Sequence, residues 1–572
     1  MTKTENIEHQ VQEKLNFIYG PEVGGQTWDK LAGLLGKYQN LQSLSPQVAP
    51  AERLTEQDVM LITYGDQVQS GSATHLQTLH RFLNQHLQGT INTVHILPFY
   101  PYTSDDGFSV VDYKQVDPAL GSWEDVEKLH TDFRIMFDAV VNHISASSAW
   151  FQGFLKGEDK YKDYFIVTDP NLDLSGVTRP RALPLLTAFD TAEGQKYVWT
   201  TFSADQIDLN FSTPDVLLEV TELLLYYVGK GANLIRLDAI GYLWKEFGTN
   251  CIHLPQTHAV VQLWRSVLDI LAPNTILITE TNVPHKDNVS YFGDGTNEAQ
   301  LVYQFPLVPL VLNALHSGNA QHLQNWAATL QPPTNQTTFF NFLASHDGIG
   351  VVPAKGILSE TEVQGLVDTT LKHGGRVSYK NNPDGSQSPY ELNITWFDAL
   401  SDPNDTNESL DTKVDRFLAS QAILLSLQGM PGIYFHSLFG SENWQEGWAQ
   451  TGRARTINRQ KLQYSELEAA LADPESRASK VFYRYTELIQ KRTAQKAFHP
   501  NAAQQILALH PTLFTLLRSG GGEQILVIIN VSGNNQNLTL TEFGGSDLVS
   551  GKKYQAGAVL ELQPYQVLWL KS

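Results

Sequence analysis

The chain has 572 residues, 42% of them hydrophobic and 17% charged, with a formal net charge of −20. That length and apolar content support a large core and more than one domain, and the acidic balance argues against non-specific binding to nucleic acid or anionic membranes. Cys251 is the single cysteine, which excludes an intrachain disulfide and a thiolate metal cluster.

In chain order, residues 1–57 predict a helical extension packed on the main body. Ile7, Val11, Leu15 and Ile18 recur at helical spacing, as do Leu31, Leu34 and Leu35. No basic segment followed by an apolar run opens the sequence, and no stretch of about 18 apolar residues lacks charge. Neither a signal peptide nor a membrane span is expected, and the cytoplasm is the expected location. From residue 58 the rhythm changes to short apolar runs separated by amphipathic helical stretches. The runs fall at 59–64, 93–97, 134–141, 232–237, 275–279, 300–305, 337–343 and 432–435. Alternation alone also fits a doubly wound sheet. Eight strand–helix units predict an α/β chain built as a (β/α)8 TIM barrel over residues 58–500, with catalytic groups at the strand C-termini. Two connections, 144–205 and 349–405, are too long for ordinary loops and are expected to be inserted functional subdomains or lids. Over residues 501–572, short runs at 512–518, 524–530, 537–540 and 567–570 with Gly-rich turns predict a C-terminal β-sandwich.

Four of the runs end in polar groups that a buried strand would not otherwise carry. These are Asp138, Asn142 and His143 after the third, Arg236 and Asp238 on the fourth, Glu280 and Asn282 after the fifth, and His346 and Asp347 after the seventh. Any one strand-end aspartate is more often structural than catalytic, an Arg–Asp pair is often only an ion pair, and His143 alone could be a satisfied core histidine. Four such clusters at one barrel mouth point to chemistry. Side chains i and i+2 share a face, so Arg236 would keep Asp238 ionised and oriented as a nucleophile. Glu280 follows the apolar run Ile276-Leu277-Ile278, and desolvation with Asp347 nearby would raise its pKa, as a general acid requires. Two carboxylates on adjacent strands fit a retaining glycosidase.

These four segments resemble the signature regions of glycoside hydrolase family 13, the α-amylase family, and the similarity covers roughly residues 58–572. The resemblance implies Asp238 as nucleophile, Glu280 as acid/base and Asp347 as a third carboxylate gripping the sugar. It places Arg236, His143 and His346 at sugar-binding positions and Asp138 in a structural role. Asp105-Asp106-Gly107-Phe108 looks like the glucose-binding loop of the sucrose phosphorylase subfamily. Asp105 would then clamp glucose hydroxyls together with Arg455, Phe108 would be an apolar platform, and Gln206 would line the pocket. By the same resemblance Arg181, in Arg179-Pro180-Arg181, and Tyr390 are the phosphate-side residues, since a guanidinium binds phosphate bidentately. Without the family, an Arg-Pro-Arg segment reads as a solvated turn.

The sequence departs from sucrose phosphorylase at Glu391, where that enzyme has glutamine, at Thr281-Asn282 after the acid/base, and at Tyr242-Leu243-Trp244-Lys245, where Trp244 is bulkier. The acceptor site is therefore expected to be rebuilt around Tyr242, Asn282, Tyr390 and Glu391. These stretches resemble the glucosylglycerate phosphorylase branch, which implies reversible phosphorolysis of 2-O-α-D-glucosyl-D-glycerate to α-D-glucose 1-phosphate and D-glycerate. Glucosylglycerol, sucrose or sucrose 6′-phosphate phosphorolysis are alternatives with the same mechanism. Hydrolysis or transglucosylation of α-glucosides is another, and a catalytically dead sugar-binding barrel runs against the presence of all three carboxylates. The expected partners are a small α-glucoside and inorganic phosphate as co-substrate. No cofactor and no metal are implied. Many α-amylases hold calcium near Asn142, but 144–205 shows no acidic cluster to complete an oxygen cage.

Overall fold

The computed structural model describes residues 3–44, 47–180, 183–382 and 386–572. Eight parallel strands close into a barrel: β1 (Met60–Thr63), β2 (Thr93–Ile96), β3 (Arg134–Ala139), β4 (Ala232–Leu237), β5 (Ile276–Thr279), β6 (Leu301–Tyr303), β7 (Thr338–Asn341) and β8 (Met430–Tyr434). All eight predicted runs are barrel strands. Met60 pairs with Thr93 on one side and Gly432 on the other, which closes the ring and excludes the doubly wound alternative. β1 is buried at every position, as a parallel strand covered on both faces must be.

Helices α1 (Lys3–Tyr19) and α2 (Pro21–Lys37) form the N-terminal extension. The barrel is flanked by α3 (His75–His86), α4 (Trp123–Asp132), α5 (Pro214–Gly229), α6 (Pro255–Leu271), α7 (Leu307–Ser317), α8 (Leu410–Ser426) and α9 (Arg477–Thr493). Their starts are specified locally. Thr74, Ser409 and Ser476 accept hydrogen bonds from first-turn amides of α3, α8 and α9, and Ser122 and Asp125 make a capping box on α4. In the extension, Val11, Leu15, Leu31 and Leu35 are buried at the spacing read from the sequence. Gly24 lets the two helices approach, because a Cβ there would fall 2.6 Å from Asn16 Oδ1. The extension docks on the barrel through Tyr19, whose hydroxyl donates to Phe211 O at 2.8 Å, and through Lys30–Asp215 at 2.8 Å.

The long connection after β3 contains the helix Ala149–Leu155 and the hairpin Leu186–Thr191/Gly194–Trp199. The one after β7 contains the helix Glu360–Lys372 and a three-stranded sheet of Ile349–Gly350, Gln387–Asn393 and Arg376–Asn381. Beyond α9 lies a six-stranded antiparallel sheet faced by the pair Gln536–Thr539/Val559–Leu562. Leu513, Leu526, Ile528, Leu560 and Leu568 fill the space between them, which makes a sandwich. A fully buried arginine of the sandwich, Arg518, ties it to the barrel by donating to Ser426 O and to His499 O, and Arg492 of α9 donates to Leu425 O and Phe498 O beside it.

Candidate active site

The polar strand ends converge at one mouth of the barrel. The register sets Arg236 beside Asp138 of β3 and Ile278 of β5, and β4 carries Asp238 on the same face as Arg236. One buried guanidinium therefore organises three carboxylates. Its Nη1 donates to Asp138 and, at 2.8 Å, to Asp238 Oδ1, while its Nη2 lies 3.8 Å from Glu280 Oε2. The chain turns sharply after Asp238, with Ala239 in the left-handed region (φ 49°), and the Ala239 N–H donates to Glu280 Oε2 at 3.0 Å. A non-glycine residue held there stores strain next to the reacting groups.

The carboxyls titrate apart. Burial pulls Asp138 upward, but Arg236 and His95, whose Nε2 is 2.6 Å from Asp138 Oδ2, outweigh it and hold it at about 2. Burial raises Glu280 to about 7, with Asp238 and Asp347 adding to the rise and Arg236 opposing it. Asp238 is also raised by burial, against the pull of Arg236. Asp347 is partly exposed, and Arg455, His346 and Arg459 outweigh its desolvation and hold it well below the usual carboxylate range. Burial thus favours a proton on the Glu280–Asp238 side of the site, while Asp347 stays ionised.

The carboxylates Asp238, Glu280 and Asp347 line one cavity together with Asp105, Phe108, His143, Gln206, Arg236 and Arg455. His346 stands behind Phe108, ring stacked on ring at 4.8 Å. His143 presents Nε2 to Phe108 O at 2.9 Å and Nδ1 to Asn142 Nδ2 at 3.3 Å, the pattern of a neutral imidazole donating from Nε2, and burial lowers its pKa. Gln206 Nε2 donates to Phe108 O at 3.0 Å and to Asp105 Oδ2 at 3.4 Å.

The loop bearing Asp105 and Phe108 is held by groups that motif reading missed. Asp105 and Asp106 both have positive φ (54° and 50°). One oxygen of Asp205, Oδ2, accepts from the hydroxyls of Thr103 at 2.6 Å, Ser104 at 2.5 Å and Ser109 at 2.9 Å. Arg459 pairs with Asp106 and donates to His346 O at 2.7 Å, and Asn458 Nδ2 donates to Ser345 O at 2.8 Å. The only advance signal was position, since Asp205 precedes Gln206 and both Asn458 and Arg459 follow Arg455.

Arg455 itself is bonded to Asp347 Oδ1 at 2.6 Å and bidentately to Glu391, while Asp105 acts on it through its charge. Tyr390, Glu391 and Asn282 line the cavity. Tyr242 stands at its edge with its ring 5.5 Å from Phe202, and Tyr390 and Glu280 contribute to its raised pKa after burial. Arg181 lies outside the described residues, and its neighbour Pro180 lines the cavity. Trp244 departs from the expectation that it reshapes the acceptor pocket. It is 8% exposed, belongs to the main hydrophobic core, and sets its ring 6.4 Å from Tyr19 of α1. The turn after Asp238 directs it outward, where it seats the extension.

A calcium ion beside Asn142, the position that the family resemblance raises, would need a cage of oxygen donors. Here Asn142 Oδ1 and Asp208 Oδ2 converge on the buried Lys245 ammonium, at 2.9 and 2.6 Å. Two oxygen donors already turned onto a fixed cation do not fit a dication that takes six or more.

Comparison with known proteins places the chain in a family. Residues 85–359 match the family model for the α-amylase catalytic domain. The chain is 50% identical over 567 residues to the glucosylglycerate phosphorylase of Allomeiothermus silvanus, covering 99% of each chain. The chain belongs to glycoside hydrolase family 13. Within that family it falls in the sucrose phosphorylase subfamily, and it is 44% identical over 567 residues to the glucosylglycerate phosphorylase of Escherichia coli (99% of this chain, 100% of that one). Among solved structures, the sucrose 6F-phosphate phosphorylase from Thermoanaerobacter thermosaccharolyticum superposes with a TM-score of 0.73 at 26% identity, over 88% of this chain and 98% of that one. A family 13 member of this kind is an enzyme that transfers glucosyl groups. Among the described residues no helix is long and apolar enough to cross a membrane.

Proposed function

We propose that this family 13 enzyme is a retaining phosphorylase that converts 2-O-α-D-glucosyl-D-glycerate and inorganic phosphate reversibly to α-D-glucose 1-phosphate and D-glycerate, in the cytoplasm. The observation that carries the chemistry is the Arg236 constellation, in which one guanidinium orients Asp238 while burial keeps a proton on Glu280 at about 7. Full-length similarity to two glucosylglycerate phosphorylases supports the choice of substrate.

In the first step an Asp238 oxygen attacks the anomeric carbon. The bond from that carbon to the glycerate oxygen breaks, and the departing oxygen takes the Glu280 proton. Arg236 holds Asp238 in line, and Asp347 with Arg455 grips the sugar hydroxyls. In the second step phosphate attacks the same carbon from the vacated side, the bond to Asp238 breaks, and Glu280 accepts the proton that phosphate gives up. Two inversions leave the glucose α-linked. Tyr390 and Arg181 are the phosphate-side groups in this reading.

The test is release of α-glucose 1-phosphate from glucosylglycerate, glucosylglycerol, sucrose and sucrose 6′-phosphate, each with and without phosphate. Phosphate-dependent product from glucosylglycerate is expected. Product from another substrate would keep the mechanism and move the acceptor. Free glucose at an unchanged rate without phosphate would leave a hydrolase.

A further inference from the structure

Glu391 is a carboxylate for which the proposed reaction has no direct use, because the acceptor it would face is itself an anion. Its surroundings give it another role. The side chain is 4% exposed and commits both oxygens to one guanidinium: Oε2 accepts from Arg455 Nε at 3.0 Å and Oε1 from Arg455 Nη2 at 2.8 Å. The remaining Nη1 of Arg455 lies 2.6 Å from Asp347 Oδ1. A bidentate fork of this kind fixes both the distance and the plane of the guanidinium.

The pair also stands in a wall. Glu391 and Arg455 border the main cavity on one side, and on the other a shallow basin lined by Ser104, Asp106, Ser378 and Arg453. Glu391 is fixed from behind, being paired with Gly350 and Ser378 in the three-stranded sheet. It lies so close to Gly348 that a Cβ there would come within 2.6 Å of its Cγ. Arg455, by contrast, is delivered by the short helical turn Ala454–Asn458 and is one-quarter exposed. The sheet that carries Tyr390 therefore dictates where Arg455 points.

We infer that Glu391 is a positioning residue for the glucosyl pocket: it holds Arg455 against Asp347 at the closed end of the cavity and does not bind the acceptor. The guanidinium it shares with Asp347 offsets part of the Glu391 charge. The inference rests on the reading of Asp238 and Glu280 as a glycosidase pair and is independent of which acceptor is used.

The experiment is hydrolysis of α-D-glucosyl fluoride without phosphate or glycerate, which reads the donor pocket alone because the leaving group is fluoride and the acceptor is water. For Glu391→Gln, which removes the charge, and Glu391→Asp, which keeps the charge but shortens the fork, KM for the fluoride is expected to rise about tenfold with kcat within about threefold. KM for D-glycerate in the synthesis direction, at saturating glucose 1-phosphate, is expected to move by less than about threefold in the same variants. In an Arg455→Lys background the Glu391→Gln change is expected to add less than about twofold, since the fork is already gone. Unchanged fluoride kinetics, with or without a rise in glycerate KM, overturns the inference, as does a fully additive effect in the Arg455→Lys background. Wild-type enzyme that turns over the fluoride but not glucosylglycerate would instead count against the acceptor assignment and leave this test standing.

Discussion

Replacing Glu280 by glutamine is expected to remove the proposed general acid and to stabilise the protein, with a pH dependence that follows from the site. Burial raises this carboxyl from an ordinary 4.5 to about 7 in the folded chain. A group whose folded pKa is raised contributes its full stability below the unfolded value and loses it as pH climbs through the folded value. Across that interval, at about 1.4 kcal/mol per pH unit, wild type forfeits on the order of 3 kcal/mol by pH 8. Glutamine is neutral throughout, and its carbonyl can still accept the Ala239 N–H that now meets Glu280 Oε2. The variant should therefore match wild type near pH 4.5 and exceed it by up to about 3 kcal/mol at pH 8. For a chain of this length, with an unfolding entropy of about 2 cal/mol/K per residue, that corresponds to roughly 3 °C in Tm. Calorimetry or urea unfolding of both proteins at pH 5 and pH 8 reads the difference. A stability gap of equal size at the two pH values would mean that the gain comes from packing and that Glu280 is not held protonated by its site.

Three further outcomes are expected. Asp205→Ala removes the common acceptor of Thr103, Ser104 and Ser109 and frees the loop that carries Asp105 and Phe108, so KM for the glucosyl donor should rise about tenfold while Tm falls by less than roughly 2 °C; steady-state kinetics that keep the wild-type KM would refute this. Lys245→Met leaves Asp208 and Asn142 buried without their cation and should cost about 3–5 kcal/mol, seen as a lower urea midpoint, and added calcium should not restore it. Arg181→Ala should raise KM for phosphate at least about tenfold while leaving α-glucosyl fluoride hydrolysis near wild type; an unchanged phosphate requirement removes Arg181 from that role.

The barrel strands and the strand-end positions of Asp238 and Glu280 were legible in the linear chain because they depend on local pattern. A parallel strand buried on both faces has to be an apolar run, and a strand that ends at a reactive mouth has to switch abruptly to Asp, Glu, His or Arg, as at 235–238 and 276–280. The periodicity of Val11, Leu15, Leu31 and Leu35 likewise announced the buried stripe of the extension, since helical spacing alone decides which residues share a face. What no local pattern carries is the pairing of charges brought together from distant segments. Arg455 is 64 residues from Glu391, Asp205 is 101 from Ser104, and Lys245 is 103 from Asn142, so each looks like an ordinary surface charge until the barrel closes. Trp244 shows the same limit from the other side: its bulk, two residues after Tyr242, suggested a rebuilt acceptor site, and only the turn after Asp238 sends it outward onto α1. Hydrophobic periodicity is written along the chain, and the partner of a buried charge is chosen by which strand ends and loops the closed ring sets side by side.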